Sequence, residues 1–458
     1  MSSAGKIIGI AIVSIIVIIG LAYVIGDSDT EVSESGVSDT EVSESGGTTT
    51  ETEVSESTDS TVQEISELSG VVNIGLILPL SGDLATHGLE NLEGSKFGVI
   101  EFNKHLEEIG ALWTLKMTSE DSATSPVIAL EKLTSLNAKG IKMIVGPETS
   151  SNIRNMKGYS DSNNMLLVSC CSSAPALAIP NDSVYRLVPD DSNQGTALSK
   201  LIQHEGIEVL VPVWRGDTWG DGLSAATTSS FVQRGGIIDD GVRYFPESPE
   251  FSVSTSILAE KVQGYVDEYG KDKVGVLFLG FAEILQFTQS ASQHEILDDV
   301  RWFGPGANTK EHKLIDDKIG REFSINVQFT TVQFAASKIT DTGAVNPIYE
   351  KVQDHLTETL GTAPNSFVLS SYDAVWIIGL SILETQSTDV TKIKAVISDI
   401  AENYSGAIGP IILNEAGDLA QANYEIWGIR LVPHEDTERV EWVLLGQYTQ
   451  STDSISLN

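Results

Sequence analysis

The chain has 458 residues, 41% of them apolar, which is the length of about two or three domains with enough apolar side chain for a large core, so wholesale disorder is excluded. Its 64 acidic residues against 28 basic ones leave a formal charge of −36, and duplex nucleic acid is excluded as a partner because its phosphates would be repelled. The two cysteines, Cys170 and Cys171, are adjacent, which excludes a disulfide scaffold and a four-thiolate zinc site.

The first element is an apolar run. Ile7–Ile25 is interrupted only by Gly9, Ser14, Gly20 and Tyr23, and its 19 residues are close to the roughly 20 that a membrane-spanning helix needs. Lys6 precedes it and no Lys or Arg follows until Lys96, so the positive-inside rule places the N-terminus in the cytoplasm and the rest of the chain outside. A cleaved signal peptide and a buried core helix are the competing readings. The length of the run, with no clear small-x-small cleavage site, favours an uncleaved anchor over residues 1–26.

Residues 27–69 are of different material. Asp27–Leu68 holds 13 acidic residues and no basic one, and SDTEVSESG occurs at Ser28–Gly36 and again at Ser38–Gly46. Such a segment cannot bury enough apolar surface to fold, and its like charges extend it. It reads as a stalk holding a domain off a membrane, or as a plain solvated linker. The Asn181 and Asn403 sequons become relevant in a domain outside the cell.

From Val71 onward, strand-like and helix-like stretches alternate. Val71–Leu78 is a continuous apolar run that ends at Pro79, as a buried parallel strand does. A helix follows over Leu89–Ile109, a strand over Leu112–Met117, and a helix over Pro126–Asn137 with Ser125 as its cap. Strand Ile141–Val145, helix Ser151–Ser162 and strand Met165–Ser169 complete a first α/β series. The second series runs through helix Asn193–Glu205, strand Ile207–Val213, helix Asp221–Arg234, strand Gly241–Phe245, helix Ser254–Tyr269, strand Val274–Leu279, helix Ala282–Gln293 and a short strand at Arg301–Phe303. A third segment has helices at Ser366–Glu384 and Lys392–Ala401, then strands at Ile408–Leu413, Tyr424–Val432 and Val440–Gln447. The reading is α/β: two doubly wound Rossmann-like lobes joined by a hinge of several strands. Lobe 1 is expected at 70–189 with about 331–410, and lobe 2 at 190–330 with about 411–458.

Motifs for catalysis are absent. The chain has no G-x-S-x-G elbow, H-E-x-x-H, C-x-x-C or phosphate-binding P-loop. Gly304-Pro305-Gly306 lacks the third glycine of a dinucleotide fingerprint, and the seven histidines are scattered without metal-ligand spacing. Asp239-Asp240 and Asp316-Asp317 read as solvated turns. No enzyme activity, cofactor or metal is expected.

Five segments in order carry a resemblance: NIGLILPLSGDLATHG at Asn73–Gly88, IVGPETSSN at Ile144–Asn152, LLVSCCSSAPALA at Leu166–Ala178, DTWGDGL at Asp217–Leu223 and SSYDAVWIIG at Ser370–Gly379. Together they resemble the type I periplasmic binding proteins, and within these the branched-chain amino acid (Leu/Ile/Val) and amide binding family that feeds ABC transporters. The resemblance covers Val71–Asn458. It implies two lobes that close over a small polar ligand, with permease and ATPase subunits as partners; the membrane helix is expected from the apolar run Ile7–Ile25 alone.

The residues of the site follow from both lines. Thr149, Ser150 and Ser151 lie between a strand end and a helix start, where hydroxyls and free N–H groups hold a carboxylate or amide oxygen. Ser172 and Ser173 follow the next strand end in the same way, and the alternative for each serine is an ordinary N-cap. By family position, Cys171 offers its backbone and a small side chain to the pocket. The Cys170-Cys171 pair reads as small inert residues, with a vicinal disulfide as the rarer alternative. Trp219 and Phe281 lie where the resemblance implies aromatics that cover the ligand from lobe 2, and His87 where a first-lobe loop lines it. Amino-acid binders of this family place a carboxylate after the Gly-Pro of a short lobe-2 strand to pair the ligand ammonium. Gly306 stands there instead, with Glu283 or Asp217 as substitutes, a departure that favours an amide, urea-like compound, short peptide or carboxylate over a free amino acid. The expected function is extracytoplasmic ligand capture for an ABC importer. A sensory receptor ectodomain and a surface-structural protein with a vestigial pocket are the alternatives.

Overall fold

The computed structural model describes residues 68–340, 342–434 and 437–458. The apolar run Ile7–Ile25 and nearly all of the acidic stalk lie outside the described residues.

The chain begins in a parallel sheet. Strands β1 (Gly70–Leu78), β2 (Trp113–Asp121), β3 (Met143–Val145), β4 (Leu166–Ser169) and β5 (Val184–Arg186) stand in the order β2-β1-β3-β4-β5. Helices α1 (Ala85–Glu108), α2 (Pro126–Ala138) and α3 (Ser150–Ser162) make the crossovers. Ile74, Leu76, Ile77 and Leu78 are all buried, as expected of a strand covered on both faces. Ser125 Oγ accepts from Ile128 N at 3.5 Å with Pro126 in the first turn, so α2 starts where its cap dictates.

The second lobe has α4 (Asp191–His204), β6 (Val209–Arg215), α5 (Thr218–Gln233), β7 (Ile237–Ile238), β8 (Val242–Tyr244), α6 (Ser252–Tyr269) and β9 (Val274–Leu279). After them come α7 (Ile284–Ala291), α8 (Glu295–Asp298), β10 (Arg301–Gly304), α9 (His312–Asp316), α10 (Lys318–Asn326) and β11 (Thr330–Phe334). The chain then returns to the first lobe with α11 (Pro347–Leu360), α12 (Ser366–Thr385), α13 (Val390–Glu402) and a small hairpin of β12 (Ser405–Gly406) and β13 (Gly409–Pro410). It ends on the second sheet with β14 (Tyr424–His434), β15 (Thr437–Thr449) and β16 (Ser454–Leu457). That sheet runs β16-β15-β14-β11-β10-β9-β6-β7, with β8 beside β6, parallel from β11 to β7 and antiparallel from β14 onward.

This is a two-lobed α/β fold with three crossings, after β5, after β11 and after β13. No element is expected from the sequence between Gly304 and Asn365, where α9, α10, β11 and α11 lie. Because β11 pairs with β10 and β14, the return crossing follows Phe334. The strand expected over Ile408–Leu413 is reduced to the two residues of β13, since Gly409 has φ +100° and Pro410 has no N–H to donate.

Helix α12 is long and apolar enough to cross a membrane, but 78% of its apolar window is buried inside the lobe. It packs on α1, where a Cβ on Gly94 would meet Val368 O at 2.5 Å, so only glycine allows this approach. Its Asp373 carboxylate accepts Ala407 N and Ile408 N, each at 2.8 Å, and the Tyr404 hydroxyl at 3.1 Å. The Tyr-Asp-Ala segment is therefore a staple holding the β12–β13 hairpin.

A second staple joins two crossings. Arg186, at the end of β5, meets Asp418 with Nε–Oδ1 and Nη2–Oδ2 distances of 2.5 Å, and both side chains are buried. Arg186 Nη1 also donates to Ala174 O at 2.8 Å.

Candidate ligand-binding site

The loops after β3 and β4 lie at carboxyl ends of parallel strands, where ligands bind in open α/β sheets. Their serines bind the two loops to each other. Ser150 Oγ lies 2.9 Å from Ser172 Oγ and accepts from Ala174 N at 3.2 Å. Ser169 Oγ donates to Pro147 O at 2.6 Å and accepts from Ser172 N at 3.1 Å. Thr149 Oγ1 caps α3 by accepting from Asn152 N at 3.3 Å. The ordinary capping role thus belongs to Thr149, and Ser150 becomes a fixed hydroxyl at the first turn.

A cavity of about 50 Å³ opens between the lobes at this wall. Thr149, Ser150, Cys171 and Ser173 line it from the first lobe, with His87 from α1. Ser172 stands behind Ser150 and does not line it. Cys170 and Cys171 form a disulfide, so the pair is not two free thiols. Adjacent residues in the turn after β4 bring their sulfurs together, and the Cys171 half faces the cavity.

Trp219, from the first turn of α5, and Phe281, which follows β9, line the cavity from the second lobe. Their rings stack with centroids 4.7 Å apart. Both aromatics are held from behind. Asp217 Oδ1 accepts Trp219 N at 3.1 Å and Gly220 N at 2.9 Å, which starts α5. The Arg215 guanidinium carbon lies 3.8 Å from the Phe281 ring centre, a cation–π contact. Arg215 also bonds Asp217 at 2.7 Å and Glu283 at 2.8 Å, while Glu283 Oε2 accepts Phe281 N at 2.9 Å. Glu283 and Asp217 are consequently both engaged by Arg215 and turned away from a ligand cation.

Gly306 does not line the cavity; its neighbour Ala307 does. Gly306 N donates to Gln194 Oε1 at 2.8 Å, and Gln194 Nε2 donates to Asp191 Oδ1 at 2.7 Å. Burial pushes the Asp191 carboxyl up to about 7, against the opposing Gln194 and Ser173 bonds and the Arg186 charge. Leu84, Gln194 and Phe367 complete the wall together with a residue that the motif reading passed over, Glu148.

Glu148 lies between Pro147 and the hydroxyl-rich turn and is 7% exposed. Its Oε2 accepts from Asn91 Nδ2 at 2.9 Å. No ion pair includes it among the described residues. Burial pushes its carboxyl up to about 8; the Asn91 bond opposes that rise and the Glu90 charge adds to it. The available signal was a lone charged residue in a segment otherwise made of apolar residues, Gly, Pro and hydroxyls. The His87 imidazole is held below its ordinary value by burial, against the raising pull of Glu311. Among the described residues, no group of three or more His, Cys, Asp or Glu is placed to hold a metal ion.

The family model described as the receptor family ligand binding region matches residues 95–431. The chain belongs to this family, the type I periplasmic binding proteins. Within it, an uncharacterised protein of Methanocaldococcus jannaschii is 26% identical over 420 residues, spanning 88% of this chain and 95% of that protein. A leucine-binding protein of Thermotoga maritima has the same fold with a TM-score of 0.65 at 19% identity, over 81% of this chain and 98% of its own. A solute-binding protein of an ABC transporter from R. palustris, solved with benzoate, superposes with a TM-score of 0.65 at 16% identity, over 85% of this chain and 98% of its own. Solute-binding proteins of ABC transporters are therefore the proteins this member of the family resembles in fold.

Proposed function

We propose that this chain captures a small organic ligand outside the cytoplasm and presents it to the permease and ATPase subunits of an ABC importer. The observation that carries this is the cavity between the lobes. One wall is rigid and hydroxyl-lined, at the ends of β3 and β4. The other is a stacked aromatic pair on α5 and the β9 loop. A wall on each lobe means that the ligand is held fully only when the lobes meet, which suits delivery by hinge motion. The apolar run Ile7–Ile25 would tether the protein to the membrane, with the acidic segment as spacer.

The test is a thermal-shift screen of the full chain against amino acids, amides, amines and small carboxylates. A ligand that binds only the folded protein raises the melting temperature by mass action. The expected result is a saturable rise with one chemical class, abolished by Trp219→Ala. No rise with any class would refute capture of a small ligand.

A further inference from the structure

Glu148 is the one acidic side chain that lines the cavity, and among the described residues no ion pair balances it. A carboxyl taken out of water without a cation is costly to ionise, and it adopts the neutral form unless a partner arrives. Its hydrogen-bond partner is a neutral amide, and Asn91 Oδ1 is itself buried without a partner. The same Asn91 Nδ2 lies 3.4 Å from Cys171 Sγ, so this amide couples Glu148 to the disulfide at the cavity wall. Of the other acids near the cleft, Glu283 and Asp217 are engaged by Arg215, and Asp191 by Gln194.

We infer that Glu148 is the cation-recognising residue of the site, so the ligand carries an ammonium or amidinium nitrogen and ligands bearing only a carboxylate are rejected. This rests on the capture reading above and sharpens it. The cation is met on the hydroxyl-lined lobe rather than at Gly306 on the second lobe. The rest of the cavity suits such a ligand. Ser150 and Ser173 offer hydroxyls to its polar part, and Leu84, Trp219, Phe281 and Phe367 cover its apolar part. A basic nitrogen beside the carboxylate forms a charge-assisted hydrogen bond in a place shielded from water.

Binding then releases a proton. The groups facing Glu148 are Asn91 and Glu90 on α1; Glu90 is faced in turn by Glu311 and Lys310. His87 lies on the same wall. The free carboxyl is pushed up to about 8 and a bound cation lowers it, so affinity for a cationic ligand rises with pH and levels off near 8.

The experiment uses two matched pairs of probes on the full chain: L-leucine with 4-methylpentanoate, and benzylamine with benzoate. Isothermal calorimetry is run in two buffers of different ionisation heat. The expected result is that the nitrogen-bearing member of a pair binds and its partner is weaker by about 100-fold or more, because a site built for an N–H group rejects the analogue lacking it. Close to one proton is released at pH 7, and Glu148→Gln removes both the preference and the release. Equal or tighter binding of benzoate or 4-methylpentanoate would overturn the assignment and leave ligand capture standing. An unchanged preference in Glu148→Gln would overturn it too. Failure of all four probes would overturn it only together with a blank thermal-shift screen, in which case capture falls as well. A ligand-free readout covers the remaining case. Glu148→Gln must melt higher than the unmodified chain at pH 8.5 and no higher at pH 5, and equal melting at pH 8.5 would show that Glu148 is not an uncompensated buried acid.

Discussion

Replacing Asp418 by Asn at the crossing between the lobes isolates the contribution of a buried charge. Arg186 and Asp418 are 0% and 1% exposed and joined by two parallel bonds of 2.5 Å, across 232 residues of sequence. Asp418→Asn keeps the volume and removes the charge, leaving a guanidinium that cannot lose its proton, with one neutral amide oxygen and Ala174 O at 2.8 Å as its remaining acceptors. Breaking a buried pair by removing one member costs about 3–5 kcal/mol. Arg186→Met should behave differently, because the stranded carboxyl can take up a proton. Burial already raises the Asp418 pKa above its reference of 3.8, and without the guanidinium it rises further. A carboxyl raised in the folded state contributes stability that is fully present below the unfolded value and is lost as pH rises through the folded one. The deficit of Arg186→Met should therefore shrink on going from pH 7 to pH 5, by up to about 1.4 kcal/mol per pH unit. The deficit of Asp418→Asn should not shrink, because asparagine cannot take up a proton. Guanidinium unfolding followed by tryptophan fluorescence at the two pH values measures both, and Arg186→Met with Asp418→Leu should recover much of the loss. A cost below about 1 kcal/mol for Asp418→Asn, or parallel pH profiles for the two single variants, would refute the reasoning.

Three further outcomes are expected. Phe281→Ala removes the ring between the cavity and Arg215 and should weaken ligand binding about 10–100-fold by calorimetry, with most of the change in the dissociation rate. Asp373 and Asp191 are pushed by burial up to about 7 and Glu148 up to about 8, so the ligand-free protein should melt progressively lower as pH rises from 5 to 8.5; a scan showing the highest melting temperature at pH 8.5 would contradict these burials. Gly220→Ala would set a Cβ 2.1 Å from Arg215 O and push α5 off β6, which should cost about 1–3 kcal/mol in chemical unfolding and weaken ligand binding through Trp219.

Much of the fold was legible because hydrophobic periodicity is local. The apolar run that became β1, the Ser125-Pro126 start of α2 and the alternation of strand with helix need no knowledge of distant residues. The stretch from Gly304 to Asn365 was opaque for the converse reason. Helix α9 has five residues and β11 five, too short to show a period, and β11 becomes a strand through pairing with β14, about 100 residues further on; the 14-residue α11, with Asn346 and Pro347 at its start, did carry a local signal that was missed. The candidate site divided in the same way. Thr149, Ser150, Ser173, Trp219 and Phe281 stood in turns whose residue types announced them, and the structure gathers them around one cavity. Ser172 and Gly306 stood in similar turns and do not line it, because the Ser172 hydroxyl is turned to Ser150 and the Gly306 N–H to Gln194.

By itself the sequence determined the α/β layers, the two lobes and the hydroxyl and aromatic loops that meet between them, since each is written in residues near one another along the chain. Tertiary structure alone decided the charge balance of the site. Arg215 reaches Glu283 across 68 residues and removes it as a ligand partner, whereas Glu148 is met by the neutral amide of Asn91, 57 residues before it, and by no cation among the described residues. Whether a carboxylate is neutralised or left for a ligand depends on what folding brings within about 4 Å of it in a medium of low dielectric, and no local pattern carries that distance.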